Sequence, residues 1–177
     1  MRGCGGTVGP RCGPQGLKVR FPAGHRAAFL AAGDVPSAVE SFTVRTKGEV
    51  HVVDLTEEVR RRVRASGVQE GLACVFVAGS TAAITTLEFE PGLAEEDLPQ
   101  ALERLFPRHG QGLDYGHERA WHDGNGHSHV RAAFLGPSLT VPVSDGAPVL
   151  GTWQQVVLVE LDTKPRERRV VVQIVGM

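Results

Sequence analysis

The run Leu72-Ala73-Cys74-Val75-Phe76-Val77-Ala78 constrains the fold more than any other stretch of the chain. It is strand length and too short for an ordinary buried helix. An unbroken apolar run also predicts a strand covered on both faces, at the centre of a sheet. Segments with strand character surround it. Phe42 and Val44 alternate with Thr43 and Arg45, Lys47-Gly48 reads as a turn, and Glu49 to Val53 continues as a second strand. Thr81 to Phe89 is rich in Thr and Ile; Val130 to Leu135, Ser138 to Val143, Thr152 to Leu161 and Arg169 to Val175 follow, separated by turns at Ser144-Asp145-Gly146 and at the charged stretch 162–168.

Two helices interrupt this series. The first runs from a cap at Asp54 or Thr56 through Ala65, with Glu57 placed to complete a capping box and Gly67 to end it. The second follows Pro91-Gly92: Glu95, Glu96 and Asp97 suit its positive end, Leu98, Leu102, Leu105 and Phe106 mark one apolar face, and Pro107 closes it. The expectation is an α+β fold with a mostly antiparallel sheet of about seven strands and two helices.

At 177 residues and 41% hydrophobic, the chain can bury a substantial core. Residues 1–36 differ from the rest: eight Gly, four Pro and neither strand nor helix period mark a Gly/Pro-rich N-terminal extension, read as disordered, before a domain at 37–177. A net charge of −1 lacks the basic excess of a dedicated nucleic-acid binder. No apolar stretch has the length of a membrane span or the position of a signal peptide. Three cysteines cannot build a secreted disulfide framework, which fits a reducing cytoplasm, and Cys74 within its apolar run reads as a buried packing residue. The partner expected is a small molecule, without nucleic acid or membrane.

Five of the seven histidines fall between His109 and His129. In Asp123-Gly124-Asn125-Gly126-His127-Ser128-His129 the longer polar side chains alternate with Gly and Ser, so an extended backbone would aim Asp123, Asn125, His127 and His129 the same way. His127 and His129 could then share one ion with His117, with Asp123 completing or orienting the shell; contact with a substrate phosphate and a purely structural role are the competing readings. Gly79-Ser80-Thr81 offers hydroxyls and backbone N–H groups to an anion, or is only a turn. Glu88 on the same strand is a candidate general base or a solvated carboxylate. Thr152, Trp153 and Gln154 open a later strand, where the indole provides a flat wall for a heterocycle or an oligomer interface. Arg166, Arg168 and Arg169 read as a solvated turn, or as partners of acidic neighbours across an interface.

These residues resemble a known family. Gly79-Ser80-Thr81-Ala82-Ala83-Ile84, Glu88, the segment 123–129, Gly136-Pro137-Ser138, Thr140-Val141-Pro142, Gly151-Thr152-Trp153-Gln154 and the closing Arg-Val-Val-Val-Gln strand are similar to the YjbQ-like proteins, also called secondary thiamine-phosphate synthase enzymes. Many members carry a histidine where this chain has Gly79, and a glycine where it has His122. The resemblance implies a homotrimer with orthogonally packed sheets and pockets near subunit boundaries. It implies formation of thiamine phosphate: the thiazole-phosphate nitrogen attacks the methylene carbon of hydroxymethylpyrimidine diphosphate as diphosphate departs. In that scheme Glu88, His127 and His129 are catalytic. Ser80, Thr81, Asp123, Asn125, Arg131, Thr152, Trp153 and Gln154 bind substrate. A divalent metal, Mg or Zn, sits on His117, His127 and His129. A metal-dependent hydrolase of a phosphorylated small molecule and a non-catalytic trimeric binder of an anionic metabolite are the alternatives.

Overall fold

The computed structural model describes residues 37–177; the N-terminal extension read from the sequence lies outside them. Among the described residues eight strands form two antiparallel sheets. The first contains β1 (Ser37–Arg45), β3 (Gly71–Val77), β5 (Ser138–Ser144), β6 (Ala147–Pro148) and β8 (Glu167–Gly176) in the order β1-β8-β3-β5-β6. The second has β2 (His51–Asp54), β7 (Gln155–Glu160) and β4 (Ala82–Leu87), with β7 in the middle.

Alternation along the strands builds the core. Ala73, Val75 and Val77 of β3, Val141 and Val143 of β5, and Val170, Val172 and Ile174 of β8 meet Ala82, Ile84, Val156 and Leu158 of the second sheet. The opposite face of the second sheet, through Val52, Ala83, Val157 and Val159, packs under the helical residues Ala94, Leu102 and Ala132. Each such buried Val or Leu side chain contributes roughly 1.5–3 kcal/mol.

β3 is central to its sheet, as expected, but only one of its faces is covered. Leu72 and Phe76 are exposed and Cys74 is half-buried on the outer face, so Cys74 is not the core residue its apolar neighbours predict. The strand covered on both faces is β7, where Val156 to Glu160 are all buried. An apolar run marks β propensity but does not reveal which sheet lies in the interior.

Helix α1 (Thr56–Ser66) follows its sequence signals: Glu57 and Glu58 in the first turn, Val59 and Val63 facing the core, and Gly67 left-handed at φ 74° as the stop. The capping box does not form. Asp54 instead accepts from the Thr56 N–H and hydroxyl, while Glu57 pairs with Arg60. The second predicted helix begins earlier than expected, as a π-helical turn over Gly92–Asp97 whose first N–H groups, from Gly92 and Leu93, are taken by the Glu90 carboxylate. It continues as α2 (Leu98–Leu105).

The largest departure lies beyond residue 117. A single turn, α3 (Glu118–Trp121), is followed by α4 (Gly126–Leu135), so the segment read as an extended arm and a strand at Val130 to Leu135 is helical. His122 ends α3 with φ 51°, a left-handed position that explains why glycine suits it. Ala132, Ala133 and Leu135 favour a helix, and the polar alternation of residues 123–129 belongs to a turn and a helix start. Among the described residues no helix is long and apolar enough to cross a membrane.

Candidate functional site

Helical geometry separates the two histidines that an extended arm would have paired. On α4, positions two apart point roughly 200° away from each other. His129 faces the residues before β4, where its imidazole lines the same cavity as Gly79 and Ser80. His127 turns inward, its Nε2 2.9 Å from Glu49 Oε2.

On the His129 side, three segments converge. Gly79, Ser80 and Thr81 just before β4, Asp123 and Asn125 from the turn before α4, Asp162 and Arg166 from the β7–β8 loop, and Glu167 and Arg168 at the start of β8 line a cavity of about 450 Å3 together with His129. Adjoining it, a more apolar hollow of about 280 Å3 is lined by Ala82, Ala132, Ala133 and Pro137, with Gly79, Ser80 and His129 common to both. A polar chamber and an apolar one therefore meet at a single imidazole.

The polar floor is a closed hydrogen-bond network. Glu160, fully buried, accepts from the Thr46 hydroxyl, the Arg168 guanidinium and the Asp162 N–H. Arg168 Nη2 also donates to the hydroxyl of Thr81, which donates in turn to Asp162 Oδ2 at 3.0 Å. The same Asp162 oxygen accepts from Asn125 Nδ2 at 3.3 Å and from Arg166 at 2.9 Å, and Asn125 Oδ1 accepts the Thr163 N–H. Burial pushes the Asp162 carboxyl up, but Arg166, the Lys164 N–H, Thr81 and Asn125 hold it below the ordinary carboxylate range. Thr81 is only 4% exposed and its hydroxyl is engaged on both sides, whereas Ser80 is open to the cavity.

His117 stands beside His129, with ring centroids 4.5 Å apart, and its Nε2 lies 3.4 Å from Asp123 Oδ1 without a hydrogen-bond partner. Burial and the neighbouring His117 lower the His129 pKa, against the opposing pull of Asp123, Asp162 and the Ser80 backbone, so its neutral form is favoured. Two imidazoles and a carboxylate are suitable donors for a divalent ion. His127, however, is on the far side of α4, so the expected trio of histidines does not converge. Among the described residues no three His, Cys, Asp or Glu side chains are grouped to hold a metal.

His127 and Arg131 line neither chamber. Arg131, 1% exposed, donates to Glu49 at 3.0 Å, to Glu103 at 2.7 Å and to the Phe106 carbonyl; Arg108 reaches the second oxygen of Glu49 at 2.8 Å. Burial raises the Glu49 pKa, but His127 and Arg108 bring it below the usual value. This cluster ties the loop before β2 to α2 and α4.

The other predicted contacts lie elsewhere. Ala82 of β4 pairs with Glu160 and Leu87 with Gln155, so the ends of this ladder are roughly 17 Å apart. Ser80 and Asp162 stand at one end. Glu88, exposed, and the turn Thr152-Trp153-Gln154 stand at the other, where Gln154 binds Gly151 N–H and Thr86, and Trp153 is 70% exposed. The indole wall is thus remote from the cavity of its own subunit.

Sequence reasoning missed Glu160, Asp162 and Arg168, and Arg168 is buried where a solvated turn was expected. A signal was present: Glu160 interrupts the otherwise apolar Val156-to-Leu161 segment and Asp162 follows it directly, and an acid inside a buried strand requires partners.

Comparison with known proteins agrees with this architecture. The UPF0047 protein YjbQ-like family matches residues 40–177. A UPF0047 protein of Archaeoglobus fulgidus is 39% identical over 132 residues, 75% of this chain and 97% of that protein. One from Mycobacterium bovis is 43% identical over 119 residues, 67% of this chain and 87% of its own length. Among solved structures, a hypothetical protein of Aeropyrum pernix K1 superimposes with a TM-score of 0.72 at 35% identity, covering 79% of this chain and 99% of that one. A protein of Clostridium acetobutylicum gives 0.68 at 34%, covering 76% and 98%. With this match through both sheets and the segments that line the cavity, the chain belongs to the YjbQ-like UPF0047 family.

Proposed function

We propose that this chain is a transferase that makes thiamine phosphate as a secondary activity, and that the paired chambers at His129 are its substrate site. The observation that carries the reading is the junction of a polar chamber of about 450 Å3 with an apolar one of about 280 Å3. A pyrimidine carrying a diphosphate has the same division, a flat ring joined to a charged tail. In the reaction the thiazole nitrogen forms a bond to the pyrimidine methylene carbon, the carbon–oxygen bond breaks, and its electron pair leaves with diphosphate. In this reading Ser80 and the rim guanidinium of Arg166 bind the tail, and the imidazole of His129, which lines both chambers, contacts the junction of ring and tail.

The outer face of the first sheet supports assembly as a homotrimer. Val39, Leu72 and Phe76 are exposed there, with Cys74, Val171 and Val175 between them. In such an assembly the exposed Glu88–Trp153 end of one subunit is free to close the cavity of another, which would give Trp153 the role of aromatic wall.

Purified protein incubated with both precursors is expected to yield thiamine phosphate, and His129→Ala to abolish it. Wild-type protein that releases no product above a buffer control would overturn the reading. The second reading, a metal-dependent hydrolase, draws on the His117–His129 pair beside Asp123. It predicts phosphate release from one phosphorylated compound alone and loss of that release with chelator. Thermal stabilisation by an anionic metabolite without turnover would identify a non-catalytic binder.

A further inference from the structure

The single turn of α3 has an effect out of proportion to its length, because it carries Glu118. This carboxylate is 7% exposed and bridges two backbone groups: Oε2 accepts the Gly124 N–H at 2.8 Å and Oε1 accepts the Gly126 N–H at 2.8 Å. Gly126 is the first residue of α4, and its N–H is one of those a helix leaves unpaired. Between the two glycines stands Asn125, which reaches Asp162 and Thr163 on the cavity floor; just before them Asp123 accepts the Asn125 N–H. Glu118 thus grips the turn on either side of the residue that enters the site.

Space around the grip is closed. A Cβ on Gly126 would lie 2.5 Å from Tyr115 Cβ and 3.0 Å from Glu118 Oε1, and Gly124 holds φ 71°. Tyr115 is itself anchored through its hydroxyl to the Pro107 carbonyl. The start of α4 would otherwise attract an anionic ligand. Here the chain's own carboxylate occupies it.

We infer that Glu118 is the positioning residue of this cavity: by bridging Gly124 and Gly126 it fixes the Asp123–Asn125 turn and the first turn of α4, and so sets His129 against Ser80 and His117. This rests on the reading that the His129 chambers are the functional site. Burial raises the Glu118 pKa, but the Gly126 and Gly124 N–H groups, with His109 and His117, lower it overall, so the bridge is ionised at neutral pH.

The test uses the full chain and its Glu118→Gln variant. In wild-type protein, the Gly124 and Gly126 amide resonances are expected to titrate together with one carboxyl group at acidic pH. In Glu118→Gln, with circular dichroism unchanged, the His129 imidazole pKa is expected to shift toward that of free histidine. The coupling reaction should lose at least about tenfold in kcat with KM altered less than about threefold, and Glu118→Asp should recover part of the loss. Glycine amides indifferent to pH, or a folded Glu118→Gln protein with unchanged His129 titration, would overturn the inference. If Glu118→Gln does not fold, the wild-type amide titration decides alone. Wild-type protein that fails to couple the precursors sinks the functional reading and leaves the two titrations to judge Glu118.

Discussion

Replacing Thr81 with Val removes one hydroxyl from the cavity floor and almost nothing else, which makes it a sharp probe of the network beneath the site. That hydroxyl donates to Asp162 at 3.0 Å and accepts from Arg168 at 2.8 Å, and all three side chains are buried. A hydrogen bond to a charged group contributes about 1.5–3 kcal/mol. Asp162 keeps Asn125, Arg166 and the Lys164 N–H, and Arg168 keeps Glu160 and the Thr81 carbonyl, so each loss falls at or below the low end. The expected cost of Thr81→Val is therefore about 2–3 kcal/mol, or a fall of about 4–12 °C in Tm for a domain of this size. Urea denaturation at pH 7 measures it, with Thr81→Ser expected to stay close to wild type. Ser80→Ala, which changes an open hydroxyl, should cost less than about 0.5 kcal/mol in stability while weakening ligand binding. A Thr81→Val protein within about 0.5 kcal/mol of wild type would refute the account of the floor.

Arg131→Met should be more damaging, at about 3–5 kcal/mol, because it leaves the Glu49 and Glu103 carboxylates facing an apolar side chain; equilibrium unfolding reads this directly. Stability should rise with pH on the acid side. Asp162 and Glu49 have lowered folded-state pKa values, so their contribution is complete above the unfolded value near 4 and lost as pH falls through the folded one. His129, also lowered, adds a smaller loss below about 6.5 as the unfolded chain takes up its proton first. Urea midpoints from pH 3 to 8 check the slope, and a maximum at the acid end would contradict it. Phe76→Asp on the outer face of the first sheet should turn the proposed trimer into monomer in sedimentation analysis; a monomeric wild type would dispose of the trimer.

The strands were legible where one face is buried and the other is not, as in β5 and β8, because alternation records the environment of each residue. Helix α1 was legible through its acidic first turn and Gly67. Helix α4 was not, because Asn125, His127 and His129 imitate strand alternation, while the contacts that favour a helix come from Glu118 and from the second sheet packed against Ala132. The same misreading placed His127 beside His129, whereas the helix turns it toward Glu49. Small, hydroxyl and imidazole groups cluster in the sequence around Ser80, Asn125 and His129, and the fold brings these three to one cavity. Asp162 and Arg168 escaped because a run of charges between strands normally faces water; only the fold brings Thr81 and Glu160 to them.

The most direct measurement is an amide chemical-shift titration of the full chain with inorganic diphosphate. The account predicts saturable shifts at Ser80, Thr81, His129 and Arg166, abolished by His129→Ala. Shifts confined to Glu88 and Trp153, with the amides of the His129 chambers unmoved, would contradict it.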